Sequence, residues 1–317
     1  MTEKNGVVTL GETMALVAST SFGPLQHART MNLGIGGSES NVAIALSRLG
    51  TPATWIGKVG ADSLGDLVLR EIGAEHVRVV ALRDPDAPTA LMVKEYRTSA
   101  DTHVWYYRKD NAGSRLRTAD IDPELIRGAA LLHVTGISPA LSVTMAEAVL
   151  EAIRIAKESG TLVSFDLNFR GKLWSREAAR DMYLRILPQS DIVFAGDDEA
   201  AIAVGVADSP LVLAHRLVEA GAGQAIVKLG ARGAVAVVDG EEYERAAIKV
   251  DAVDTVGAGD AFVAGYLADY LLGKDVPTRL TTAVTVGAYA CLTTGDWEGT
   301  PRRSELALLG GAEPVSR

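Results

Sequence analysis

The sequence predicts an α/β fold: a doubly wound, mainly parallel sheet with helices on both faces, plus a small antiparallel β lid. Three observations predict it. Short apolar runs recur along the chain, segments of helical spacing with capping residues lie between them, and one stretch, 88–108, pairs two strands with no helix between. The runs are 7–10 (VVTL), 53–59 (ATWIGKV), 130–134 (ALLHV), 161–165 (TLVSF), 191–194 (DIVF) and 225–229 (AIVKL). Each is short and nearly continuous in apolar character, as strands buried on both faces are. The clearest helix opens at Ser142, a candidate N-cap, spaces Val149, Ile153 and Ala156 along one face, and stops before Gly160 at a C-cap position. Ser209-Pro210 opens another that ends near Gly221. Strands joined through helices run parallel, so ligands are expected beyond the strand C-termini. The 88–108 stretch reads TALMVKEY, a polar turn RTSAD, then THVWYYR. It is either a lid hairpin projecting from the core or an ordinary edge hairpin.

Composition bounds the function. The chain has 317 residues, 48% hydrophobic and 22% charged, which fits a folded globular protein. Its one cysteine, Cys291, cannot form an internal disulfide, and no N-x-S/T acceptor occurs, so a reducing, cytoplasmic setting is expected. The N-terminus, MTEKNGVVTLGETMAL, lacks a basic start followed by an apolar stretch, and no run of about 18 apolar residues follows, so no membrane partner is expected. Thirty-one Lys and Arg against 40 Asp and Glu leave a net charge of −9, which repels nucleic acid. An anionic small ligand would need a local gathering of cations and helix N-termini.

Two segments carry chemistry. Asp254-Thr255-Val256-Gly257-Ala258-Gly259-Asp260 precedes the apolar segment AFVAGYLADYLL, a glycine turn feeding a helix. The glycines let the backbone approach a ligand, and the first-turn amides and macrodipole favour a phosphate. Asp260 adds a carboxylate that would repel a resting phosphate unless it accepts a proton from an attacking hydroxyl. The helix N-terminus is expected to keep it ionised; alternatively it only caps the helix. Gly36-Gly37-Ser38-Glu39-Ser40-Asn41 opens a second helix that closes at Gly50, where backbone amides and Asn41 would meet a polyol or serve only as a well-capped start. The Walker pattern is absent, and Gly34-x-Gly36 meets Glu39 where a dinucleotide motif needs its third glycine. Five histidines show no metal-ligand spacing.

Together, GGSESNVAIALSRLG and DTVGAGDAFVAGYL, in that order, resemble the two motifs of the ribokinase-like (PfkB) carbohydrate kinases, and the resemblance spans nearly the whole chain. It implies one kinase domain over 1–317, with a β lid formed mainly by about 12–35 and 88–112, and ATP-dependent, Mg2+-assisted phosphorylation of a sugar hydroxyl. Carried over by position, Asp260 is the base, and the amides of Gly257, Ala258 and Gly259 form an anion hole. Lys228, Gly230 and Gly233 flank the nucleotide together with Gly257 and Gly259. The family's N-x-x-E reads Gly196-Asp197-Asp198-Glu199 here, so Glu199 is kept as the magnesium residue and the asparagine is not. These acidic residues are also ordinary partners for a helix dipole.

The stretches YYRKDNAGSRL and DLNFR, and later GDWEGTP, are similar to 2-keto-3-deoxygluconate kinases. The implied substrate shell is Gly37, Asn41, Met92, Tyr106, Arg108, Asn168, Arg170 and Asp260, with the two arginines as forks for a sugar-acid carboxylate. Met92 stands where that subfamily often has a lid tyrosine, and a thioether donates no hydrogen bond. The expected partners are therefore a sugar acid and ATP, with a second copy through the lid. The alternatives are another sugar kinase of the family, acting on 5-dehydro-2-deoxygluconate or fructose, and a non-catalytic sugar- or nucleotide-binding protein on the same scaffold.

Overall fold

The computed structural model describes residues 4–98 and 101–309. In chain order its strands are β1 Val7–Leu10, β2 Met14–Ser19, β3 Met31–Gly36, β4 Ala53–Gly60, β5 Arg78–Asp84, β6 Leu91–Tyr96, β7 Thr102–Tyr107, β8 Leu131–Thr135, β9 Leu162–Asp166, β10 Ile192–Gly196, β11 Gln224–Lys228, β12 Ala234–Val238 and β13 Glu241–Arg245. Nine of them form one sheet in the order β13-β12-β11-β10-β9-β8-β1-β4-β5. From β11 to β5 every pairing is parallel, and only the β11–β12 and β12–β13 pairings at one edge are antiparallel. All six sequence-predicted strands lie in this sheet. The helices at Val143–Ser159 and Pro210–Glu219 begin at Ser142 and Ser209, whose side chains accept from Met145 N and Val212 N, and Gly160 ends the first in the left-handed conformation at φ 68°.

The core has two layers because successive strand side chains point to opposite faces. On β10, Val193 and Ala195 pack with the Val143–Ser159, Arg176–Ile186 and Pro210–Glu219 helices. Ile192 and Phe194 pack with the Ser38–Arg48, Ala258–Leu271 and Val276–Ala290 helices on the other face. The order reverses about β1, whose neighbours are β8 and β4, and such a switch point is where open α/β sheets bind ligands. No helix among the described residues is long and apolar enough to cross a membrane.

The remaining strands form a small sheet, β3-β2-β6-β7. The β6–β7 hairpin is the one expected from 88–108; two residues of its turn, 99 and 100, lie outside the described residues, as do 1–3 and 310–317. Both outer pairings are antiparallel, and the central β2–β6 pairing is parallel because the chain visits the large sheet between them.

Phe194 meets Tyr266 and Phe262 edge-on, at centroid distances of 5.4 and 6.4 Å, and so seats the Ala258–Leu271 helix on the sheet. Phe194→Ala is expected to lower unfolding stability by about 3–5 kcal/mol, read from the urea midpoint at constant m-value. A loss under 1 kcal/mol would show that this contact does not seat the helix.

Candidate active site

Strand C-termini deliver most of the cleft: Gly11 and Glu12 follow β1, Thr135 ends β8, Asp166 ends β9 and Lys228 ends β11. Two helices aim their first turns at the same place. Ser38–Arg48 brings Ser38 and Asn41, and Ala258–Leu271 brings Asp260. The buried Asp260 carboxylate accepts from Ser38 Oγ at 2.6 Å and from Asn41 Nδ2 at 2.8 Å. Asn168 Nδ2 donates to the same Ser38 oxygen at 2.8 Å, from a backbone at φ 40° that asparagine tolerates. Burial pushes the Asp260 carboxyl up, against the hydrogen bonds from Ser38 and Asn41 and the charges of Arg170 and Lys228, which pull it down. Desolvation thus outweighs its donors and shifts this carboxyl against the pull expected from the helix N-terminus.

Gly257 turns through φ 77°, and a Cβ there would lie 1.7 Å from the carbonyl oxygen of Asp296, so only glycine lets the loop pass. Of the three amides predicted as an anion hole, that of Ala258 turns back to Thr255 O at 3.3 Å. Lys228 Nζ spans both oxygens of Asp166, at 2.8 and 2.7 Å, and lies 3.7 Å from where a Gly259 Cβ would sit. Burial works against this ammonium, yet the carboxylates of Asp166, Glu199 and Asp260 outweigh it and hold its pKa above the ordinary lysine value. Gly230 and Gly233 bracket the turn into β12, beside the Arg232–Asp197 ion pair, rather than meeting Asp260. Glu199 accepts from Gly196 N at 2.7 Å and Phe169 N at 2.9 Å, so it braces the loop that carries Asn168 and Arg170. Among the described residues no three His, Cys, Asp or Glu side chains gather as a metal group. The acidic residues at 197–199 fit only an ion that keeps its waters and leans on phosphate oxygens.

Across the cleft stand Tyr106 on β7, Met92 opposite it on β6, and Arg108 just beyond β7. The two predicted arginines differ. Arg108 Nη2 lies 2.6 Å from Oε2 of Glu12, a buried ion pair, whereas Arg170 is exposed and its charge reaches Asp166, Glu199 and Asp260. Tyr106 carries a cation on each side of its environment, Arg108 and Lys172, each 5.7 Å from the ring centroid. Met92 is buried, and its Cε fills the space beside Gly36. Gly37 opens the Ser38 helix against the Glu12 carbonyl, 2.5 Å from the place a Cβ would take. Asn41 Oδ1, Thr13 Oγ1 and Glu12 Oε1 are buried without a hydrogen-bond partner, and unmet polar atoms of this kind suit a ligand rich in hydroxyls.

Sequence reasoning missed Glu12, Ser38, Glu39, Asp166 and Lys172. A charged residue directly at the end of an apolar run was the available signal for Asp166. Glu39 gave none: its Oε1 accepts from Ser138 Oγ at 2.6 Å and Thr135 Oγ1 at 2.7 Å, and Oε2 has no partner.

The family model of pfkB family carbohydrate kinases matches residues 4–303. A 2-dehydro-3-deoxygluconokinase of Bacillus subtilis is 36% identical over 315 residues, covering 98% of this chain and 97% of that protein. A 2-dehydro-3-deoxygalactonokinase of Haloferax volcanii is 33% identical over 314 residues, covering 98% and 99%. An E. coli protein described as a ribokinase II, solved with ATP and Mg2+, superimposes with a TM-score of 0.89 at 27% identity, covering 96% of this chain and 98% of that one.

Burial pushes Glu39 from 4.5 to about 7, against the hydrogen bonds from Ser138 and Thr135, with Asp260 adding to the rise. A carboxyl raised in the folded state favours folding below its unfolded pKa, and that contribution is lost as pH rises through about 7. Glu39→Gln is therefore expected to raise Tm by on the order of 5 °C at pH 8 and little at pH 5. Equal shifts at both pH values in calorimetry would contradict it.

Proposed function

Because the chain belongs to the pfkB family of carbohydrate kinases, phosphotransferases with an alcohol acceptor, we propose that it moves the γ-phosphoryl of ATP to the terminal hydroxyl of a sugar acid, 2-keto-3-deoxygluconate. The observation that carries the reading is the Asp260 carboxylate, gripped by Ser38 and Asn41 at a helix start beside Gly257 and Gly259. Asp260 takes the proton of the acceptor hydroxyl as its oxygen bonds to the γ-phosphorus and the bridging P–O bond to ADP breaks. The amides of Gly257 and Gly259 and the Lys228 ammonium face the charge on the transferring group, where most of the rate of a loose phosphoryl transfer arises. Magnesium, when bound with the nucleotide, neutralises phosphate charge. Glu199 acts through the loop it braces and through water.

In this reading the chain is one kinase domain, and the β3-β2-β6-β7 sheet is a lid over the sugar in the cytoplasm. Arg170 takes the carboxylate of the acid, since Arg108 already faces Glu12. The names of the B. subtilis and H. volcanii relatives support a 2-keto-3-deoxy sugar acid. The test is ATP-dependent turnover of 2-keto-3-deoxygluconate, its galactonate epimer, 5-dehydro-2-deoxygluconate, fructose and ribose. Sugar acids should be preferred. Asp260→Asn should lower kcat by roughly 10²–10⁴-fold, and Arg170→Gln should raise KM for the acid with kcat little changed. Preference for fructose with an indifferent Arg170→Gln variant would move the assignment within the family, and binding without turnover would favour the non-catalytic alternative.

We also propose that copies pair through the outer face of the small sheet. Leu33, Val17, Val93 and Trp105 stand in one row across its four strands, with Leu33 58%, Trp105 42% and the neighbouring Tyr107 62% exposed. Light scattering at micromolar concentration should give a dimer that Trp105→Asp dissociates; a monomeric wild type would refute this.

A further inference from the structure

Lys94 lies in the middle of β6 with its side chain 1% exposed, in a strand otherwise suited to an apolar residue at that position. Its ammonium donates to Asp254 Oδ2 at 2.6 Å and to Asp296 Oδ1 at 3.3 Å. Tyr96 OH, from the same strand, donates to the same Asp254 oxygen at 3.2 Å. Asp254 begins the turn that ends at Asp260, and its other oxygen accepts from Val256 N at 3.1 Å. Asp296 touches both helix starts. Its carbonyl oxygen lies against Gly257, and its Oδ2 lies 2.3 Å from the place a Gly36 Cβ would take, two residues before the helix that starts at Ser38.

Stability alone gives no reason for this lysine, because a buried ion pair can often be replaced by apolar side chains of similar volume at no cost. Geometry gives one. β6 is joined to the Gly257 turn through Asp254, by the Lys94 ammonium and the Tyr96 hydroxyl, and the second carboxylate on that ammonium, Asp296, lies against both Gly257 and the end of β3 at Gly36. We infer that Lys94 is a positioning residue for phosphoryl transfer, a strut through which β6 holds the Gly257–Gly259 amides and Asp260 in register with the acceptor. It touches neither substrate and acts through Asp254 and Asp296. Burial pushes the Asp296 carboxyl up to about 6, with Lys94 pulling it back. Without the ammonium, two facing carboxylates would repel and spread the loop. A displacement of about 1 Å at a reacting group can cost on the order of 10²-fold in rate.

The test uses the full chain, with ADP release on its best acceptor from the panel above. Lys94→Met should lower kcat by roughly 10–10²-fold, leave KM for the sugar within about twofold, and speed amide hydrogen exchange across 255–259. The exchange readout needs no sugar, so its failure is separable from a wrong choice of acceptor. Should Lys94→Met fail to fold, the double variant Lys94→Met with Asp254→Asn removes the pair together and relieves the repulsion. That variant should regain thermal stability while kcat stays low. A folded single or double variant with wild-type kcat and wild-type exchange at 255–259 would overturn the inference, as would a rise in KM with kcat unchanged.

Discussion

A carboxylate buried at the meeting of two helix starts constrains this structure more than any other group. Asp260 needs donors wherever it is ionised, and the chain supplies Ser38 and Asn41 from one helix while Asp260 itself sits in the first turn of another. Holding two helix N-termini this close demands glycine where backbones cross, at Gly257 against Asp296 and at Gly37 against Glu12. It also demands a sheet whose order reverses nearby, so that loops after β1, β8 and β9 open onto one cleft. The fold is the means by which one ionisable group is kept buried and still satisfied.

The acidic chain distributes its charge by the same logic. Asp166 has Lys228, Glu12 has Arg108, and Asp254 with Asp296 share Lys94. Glu39 has no cation beside it, and burial pushes it to about 7 against the hydroxyls of Ser138 and Thr135 and a backbone amide. Pairing does not restore an ordinary carboxyl either, since burial raises Glu12, Asp166 and Asp296 beside their cations, Asp296 to about 6. A net charge of −9 is compatible with the anionic ligands proposed for this cleft because cations such as Lys228 are local and held in place by these pairs.

The central sheet was legible because its strands are buried on both faces and read as unbroken apolar runs, and because Ser142, Ser209 and Gly160 are caps with a local cause. Local pattern marked only the hairpin of the small sheet, and the family resemblance extended it to about 12–35. β3, MNLGIG, exposes most of its length and carries two glycines, so nothing in its local pattern marks a strand; pairing with β2 makes it one. Asp260 and its glycines could be found because the signal is contiguous. The meeting of Lys94 with Asp254 and Asp296 could not, because a lysine inside LMVKEY reads as the solvent side of an alternating strand. The residues that neutralise it lie about 160 and 202 positions away.

The unequal fates of the two arginines bear on how an acid would be told from a neutral sugar. Arg108 and Glu12 form a pair whose net charge is near zero, so it can orient hydroxyls but attracts an anion weakly. Among the described residues Arg170 has no carboxylate partner of this kind and hydrogen-bonds only to Phe169 O, at 3.3 Å, and Lys172 adds a second cation on the same loop, beside Tyr106. On the proposed reading, selectivity for a carboxylate then resides in the loop after β9 and not in the lid. That loop is braced from beneath by Glu199 through Phe169 N, so the acidic residue assigned to magnesium also fixes where the substrate's charge would be met.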